Sequence, residues 1–131
     1  MTVVLKVFGS FYKFNIRLYG IDACEMKGEN KELGIRAKNR LLQWLGVLDK
    51  KADLNVNYSN PFIRQSLEKK VCMVWIECGD FDKYGRLLAL VYDKPNGESC
   101  AHMLLKEKYA YPYYGGTKMT EKEQKNYMKQ L

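Results

Sequence analysis

Residues Ile16 to Glu25 read IRLYGIDACE, and this stretch decides how the chain folds and where its chemistry lies. Leading into it, Tyr12, Phe14, Ile16 and Leu18 alternate with Lys13, Asn15 and Arg17, the two-residue period of a strand with one buried face. The pattern breaks at Gly20, and Asp22 and Glu25 follow three residues apart. An arginine on the polar face of a strand, close to two carboxylates, suits a phosphate-bearing substrate. A guanidinium grips a phosphate through two parallel hydrogen bonds. A carboxylate holds a hard cation or takes a proton from water. The plainer alternatives are a surface ion pair from Arg17 to Asp22 or Glu25, and ordinary turn chemistry for the two acids.

A second stretch adds weight to the first. Phe81 to Arg86 read FDKYGR, where Asp82 and Gly85 suit a tight turn, Lys83 and Arg86 bring positive charge, and Tyr84 offers a ring and a hydroxyl. In this order the two stretches resemble the staphylococcal nuclease-like (thermonuclease) family, whose pattern is an RL-x-G-I-D-x-P-E segment followed by D-x-YGR. The similarity runs on through ELGIRA, Glu32 to Ala37, and YAYPYYGGTK, Tyr109 to Lys118, and covers the chain from about Thr2 onward.

The resemblance implies an α+β fold, an OB-type five-stranded small barrel with three helices. It assigns Arg17 and Arg86 to the scissile phosphate and Glu25 to activation of the attacking water. It assigns Asp22 and the backbone carbonyl of Ala23 to a calcium ion, with Glu25 reaching that ion through water. Lys83 and Tyr84 then contact a neighbouring phosphate, and Tyr113 packs against the nucleotide. Two cations at one phosphate make chemical sense, because attack builds negative charge on the equatorial oxygens. The implied activity is calcium-dependent hydrolysis of DNA or RNA with low sequence specificity. The competing expectation is a catalytically impaired nucleic-acid-binding or interaction module.

Several positions depart from the family pattern. The family opens this region with a strand ending D-G-D-T, whereas here Thr2 matches the threonine and Met1 stands where a calcium-binding aspartate belongs. The barrel's first strand is therefore expected to be missing, through truncation of a longer nuclease or in a genuine short form. The intact Arg17, Asp22, Glu25 and Arg86 favour truncation. Cys24 replaces a proline, loosening the turn that aims Glu25, and Ala23 replaces a threonine at a main-chain ligand. Lys108 falls where a glycine often ends the second helix.

Composition agrees with a nucleic-acid partner. The 131 residues are enough for one domain, expected over 1–131 with an inserted segment at about 52–70. The formal charge of +7 favours an anionic partner, nucleic acid before a membrane surface. No apolar run approaches the ~20 residues of a membrane span, and the N-terminus lacks a signal-peptide pattern. A monomer in an intracellular setting is the expectation. Cys24, Cys72, Cys78 and Cys100 form no C-x-x-C pair and read as free buried thiols. His102 is the single histidine, which excludes a zinc finger and a histidine acid–base pair.

Along the chain, Val3 to Phe8 and Phe11 to Leu18 read as a hairpin turning at Gly9-Ser10. Lys31 to Leu48 reads as a helix with Ala37, Leu41, Trp44, Leu45 and Leu48 on its apolar face, and Arg36, Lys38 and Arg40 in solvent. Ala52 to Tyr58 reads as a short strand, and Phe62 to Lys70 as a helix started by Ser59-Asn60-Pro61. Cys72 to Glu77 and Leu87 to Tyr92 read as strands flanking FDKYGR. Ser99 to Lys108 is a helix, Tyr109 to Gly116 an aromatic loop, and Thr117 to Leu131 holds a helix capped by Thr120.

Overall fold

The computed structural model describes residues 2–7, 9–69 and 73–129. Alternation builds the first hairpin: β1 (Thr2–Val7) pairs antiparallel with β2 (Ser10–Leu18) in the register Val7 to Ser10. Gly9 makes the turn at φ +82°, a conformation that costs glycine nothing. After β2 come β3 (Ile21–Asp22), helix α1 (Lys31–Trp44) and helix α2 (Asn60–Lys69). Then follow β4 (Trp75–Phe81), β5 (Leu87–Tyr92), helix α3 (Cys100–Lys106), β6 (Tyr111–Pro112) and helix α4 (Glu121–Met128).

The class is α+β. Four strands form one sheet in the order β1-β2-β5-β4, and β3 with β6 forms a second. No closed barrel is found among the described residues. The described residues hold four helices rather than three, and α2 lies in the 52–70 segment. Within the large sheet β2 and β5 run parallel, with Ile16 opposite Leu87 and Leu18 opposite Ala89. On β5 the residues Leu87, Ala89 and Val91 are buried. They pack with Ile16 and Cys100 as the central core, on which Leu41 and Trp44 of α1 also lie. A second cluster joins Ile21 to Ala101, Met103, Leu104 and Ala110 of the α3 region, and a third joins Cys24, Tyr111 and Met128.

Several sequence expectations are corrected. Helix α1 stops at Trp44, four residues before Leu48, because Gly46 adopts φ +81° and closes the last turn. Arg36, Lys38 and Arg40 are not simply solvated. Arg40 pairs with both carboxylate oxygens of Glu107 at 2.9 and 3.1 Å, and Arg36 donates to Asn55 Oδ1 at 2.8 Å. Residues 52–58 form a turn at 54–55 within irregular chain instead of a strand. The fully buried Asn39 holds them, its Nδ2 donating to the carbonyls of Leu54 at 2.8 Å and Val56 at 2.7 Å. Cys24 and Cys100 are buried as expected, but Cys78 is exposed on β4. Met1 and Cys72, on which two expectations rested, lie outside the described residues, as do Phe8, Lys70 and Leu131. Among the described residues no helix is long and apolar enough to cross a membrane.

Candidate active site

Two features of the backbone bring the two motifs together. The β2–β5 register sets Arg86, the residue before β5, one step along the sheet from the pairing of Ile16 with Leu87. Residues two apart on a strand share a face, so Arg17 and Arg86 are offered to the same side of the sheet. Gly20, buried and at φ +84°, then turns the chain back after β2, where a Cβ would sit 3.1 Å from the Tyr114 ring. The turn lets β3 pair with β6, Asp22 opposite Tyr111, and lets the Tyr113 N–H donate to the Gly20 carbonyl at 2.9 Å.

Arg17 is locked into this turn. Its Nη1 donates to the Ile21 carbonyl at 2.8 Å and the Leu18 carbonyl at 3.3 Å, while Nη2 stands 3.7 Å from Asp22 Oδ1. The guanidinium also lies 5.7 Å from the centre of the Tyr113 ring. Arg17 therefore makes the ion pair with Asp22 that was the plainer alternative, and it also lines a cavity. Five guanidinium donors exceed these contacts.

The FDKYGR turn is built around Asp82. Its Oδ1 accepts from the N–H groups of Tyr84 and Arg86, each at 2.9 Å, and its Oδ2 accepts from Arg86 Nε at 2.8 Å. Burial pushes the Asp82 carboxyl up, but hydrogen bonds from the Arg86 and Tyr84 N–H groups and the Arg86 guanidinium outweigh it and hold the carboxyl low. Arg86 is thereby fixed at one edge by a carboxylate. Lys83 and Arg86 lie 5.2 and 5.5 Å from the centre of the Tyr84 ring.

The result is a cavity of about 380 Å³ lined by Arg17, Lys83, Tyr84, Arg86 and Tyr113, with Tyr19 and Tyr114 beside them. Five of the residues singled out from the sequence thus converge. Tyr19 and Tyr114 meet edge to face at 5.6 Å and extend the aromatic wall, Tyr114 being 73% exposed. Sequence reasoning gave these two rings no role, since only the β3–β6 pairing brings residues 19 and 114 together.

Asp22, Ala23 and Glu25 line a neighbouring, smaller pocket of about 200 Å³ with Lys27, Asn30, Lys118 and Glu121, joined to the arginine cavity by the Arg17–Asp22 pair. Asp22 Oδ2 accepts from the Tyr111 hydroxyl at 2.9 Å and is 3.2 Å from Lys118 Nζ. Glu25 is exposed, with Lys27 at 4.0 Å. Its backbone is fixed by α1, because Gly34 has no Cβ: one there would come 2.5 Å from the Glu25 carbonyl oxygen and 2.6 Å from that of Cys24. The buried Asn30 ties the same loop to α4, its Nδ2 donating to the Glu121 carbonyl at 2.8 Å. Cys24, in the position of the family's proline, is buried, and burial followed by the Asp22 charge raises its thiol, so it behaves as a small apolar side chain.

These donors do not by themselves fit calcium. That ion takes about 6–8 oxygens at roughly 2.3–2.6 Å. Among the described residues no three His, Cys, Asp or Glu side chains converge to hold a metal. Asp22, the carboxylate assigned to the ion, already has a phenol and an ammonium on one oxygen and a guanidinium near the other.

An α+β domain carrying two arginines and a lysine in one tyrosine-lined cavity is the kind that receives a phosphate-bearing polymer. Residues 15–131 match the family model described as staphylococcal nuclease homologue, and the chain belongs to that family. The match starts at Asn15, later than the similarity read from about Thr2. No curated protein matches the chain.

Proposed function

We propose that this chain hydrolyses phosphodiester bonds in DNA or RNA with little sequence preference. The observation that supports it is the single cavity in which Arg17 and Arg86 accompany Lys83, Tyr84 and Tyr113. In this reading the two guanidinium groups bind the scissile phosphate and stabilise the charge that grows on its equatorial oxygens. Lys83 neutralises an adjoining phosphate, and the rings of Tyr84 and Tyr113 accept any base on their faces, which explains low specificity. Glu25 takes a proton from water as its oxygen attacks phosphorus. The new P–O bond forms while the ester P–O bond opposite breaks, and the leaving oxygen departs with a proton from solvent. Calcium, which the family resemblance brought in, is left out of these steps because the described donors do not suit it. The OB-type arrangement, the single domain over 1–131 and the inserted segment at about 52–70 belong to the same proposal.

A second reading, a nucleic-acid-binding module without turnover, is favoured by one observation: Glu25 is not among the residues lining the arginine cavity and borders the neighbouring pocket beside Asp22. Cleavage of single-stranded DNA and RNA, in calcium and in EDTA, decides between them. Under the hydrolase reading Arg86→Ala lowers turnover by about 10²-fold. Glu25→Gln lowers it by more than about tenfold. Near-normal turnover in Glu25→Gln removes Glu25 from the mechanism. Binding without product in either buffer, abolished by Arg86→Ala, establishes the module instead.

A further inference from the structure

Lys118 was in the YYGGTK stretch but carried no role from the sequence. Its ammonium is 3.2 Å from Asp22 Oδ2 and 5.8 Å from the centre of the Tyr113 ring, whose other cation is Arg17. Asp22 Oδ2 also accepts the Tyr111 hydroxyl at 2.9 Å, so a phenol hydrogen bond and the ammonium charge fall on one oxygen. Oδ1 faces the Arg17 guanidinium at 3.7 Å. The Asp22 side chain is only 17% exposed, so these attractions are less screened than on an open surface.

We propose that Lys118 is the resident counter-cation of Asp22 and keeps divalent ions off that carboxylate. A carboxylate holds a hard cation through its oxygens. Here Oδ2 accepts a phenol and has an ammonium 3.2 Å away, and an arriving ion would meet the positive charge of Lys118 beside the carboxylate. Lys118 and Arg17 together flank Asp22 and share the Tyr113 ring, so the cluster carries its own positive charge beside the arginine cavity. The proposal rests on the site assigned above for its bearing on cleavage, but the ion at Asp22 can be measured with no substrate present.

The measurement is a titration of the 131-residue chain with terbium(III), a hard oxygen-seeking ion whose emission is sensitised by nearby tyrosine, here Tyr111. Lys118→Met should bind the ion at least about tenfold more tightly than the wild type. Lys118→Arg, which retains the charge, should remain with the wild type. Adding Asp22→Asn to Lys118→Met should abolish the gain. Circular dichroism controls for folding, and Lys118 is exposed enough to be replaced without disturbing the core. Equal binding by the wild type and Lys118→Met overturns the proposal. So does binding by neither, or a gain in Lys118→Arg as large as in Lys118→Met. A chain that cleaves nucleic acid but shows no gain in Lys118→Met loses this proposal and keeps the hydrolase reading. A chain that cleaves nothing but shows the gain does the reverse.

Discussion

The Tyr111 hydroxyl donates a 2.9 Å hydrogen bond to Asp22 Oδ2, joining residues 89 apart in sequence across the β3–β6 pair. Tyr111 is 1% exposed and also accepts from Gln124 Nε2 at 3.3 Å, so the link continues from β3 through β6 to α4. Burial, and then the neighbouring Asp22 charge, hold the phenol protonated well above its ordinary range, so it remains a donor at neutral pH.

Tyr111→Phe keeps the ring in place and removes only this donor. A hydrogen bond to a charged group is worth roughly 1.5–3 kcal/mol, and the lower end is expected because Lys118 and Arg17 still serve Asp22. Urea unfolding should show a lower midpoint with an unchanged slope. A midpoint equal to the wild type would mean that water or Lys118 replaces the phenol without loss.

What could be read from the sequence was what depends on local pattern. Alternation located β2, Gly9 and Gly20 marked the turns at its two ends, and Thr120 capped α4 as its residue type requires, accepting from the Glu123 N–H. Ser99, read as the start of its helix, caps α3 instead, accepting from the His102 N–H. The FDKYGR turn was legible because Asp82 and Gly85 are turn chemistry in themselves. What could not be read depends on pairing between distant segments. The β3–β6 ladder is two residues long on each side, too short for a period, yet it brings Tyr111 and Lys118 to Asp22. The strand expected at 52–58 failed for a related reason. The carbonyls of Leu54 and Val56 accept from the Asn39 side chain rather than from a neighbouring strand. That Glu25 borders the pocket beside Asp22 and does not line the arginine cavity was also out of reach, since spacing along the chain does not say which cavity a loop borders.

Gly34 sits inside ELGIRA, where a helix interior normally favours alanine. Here the reverse should hold. The Cβ of Gly34→Ala would press on the Cys24 and Glu25 carbonyls at 2.6 and 2.5 Å, and backbone atoms cannot swing aside as a side-chain tip can. Relief requires α1 to withdraw from the 24–25 segment, at a cost of about 1–3 kcal/mol. Thermal unfolding of Gly34→Ala should therefore occur below the wild type. Because the displaced carbonyl belongs to Glu25, nucleic-acid cleavage measured well below the melting temperature should fall as well. Wild-type or higher stability would show that the helix propensity gained outweighs the contact.

Cys100 opens α3 with its thiol fully buried in the central core, and burial pushes that thiol from 9.0 up to about 12. A folded-state value above the unfolded one means that the folded chain keeps the proton after the unfolded chain has released it. The associated stability is whole below about pH 9 and is lost as the pH rises towards 12. Cys24, raised by burial and by Asp22, and Tyr111, raised by burial and by the same carboxylate, act in the same direction. Unfolding free energy should therefore hold level up to about pH 9 and then fall, each fully engaged group contributing about 1.4 kcal/mol per pH unit. Cys100→Ala will lower stability at every pH by opening a small cavity, so the slope is the quantity to read. Between about pH 9 and 11 the variant should decline less steeply than the wild type. Parallel curves over that interval would mean that the Cys100 thiol titrates no differently in the folded chain than in the unfolded one.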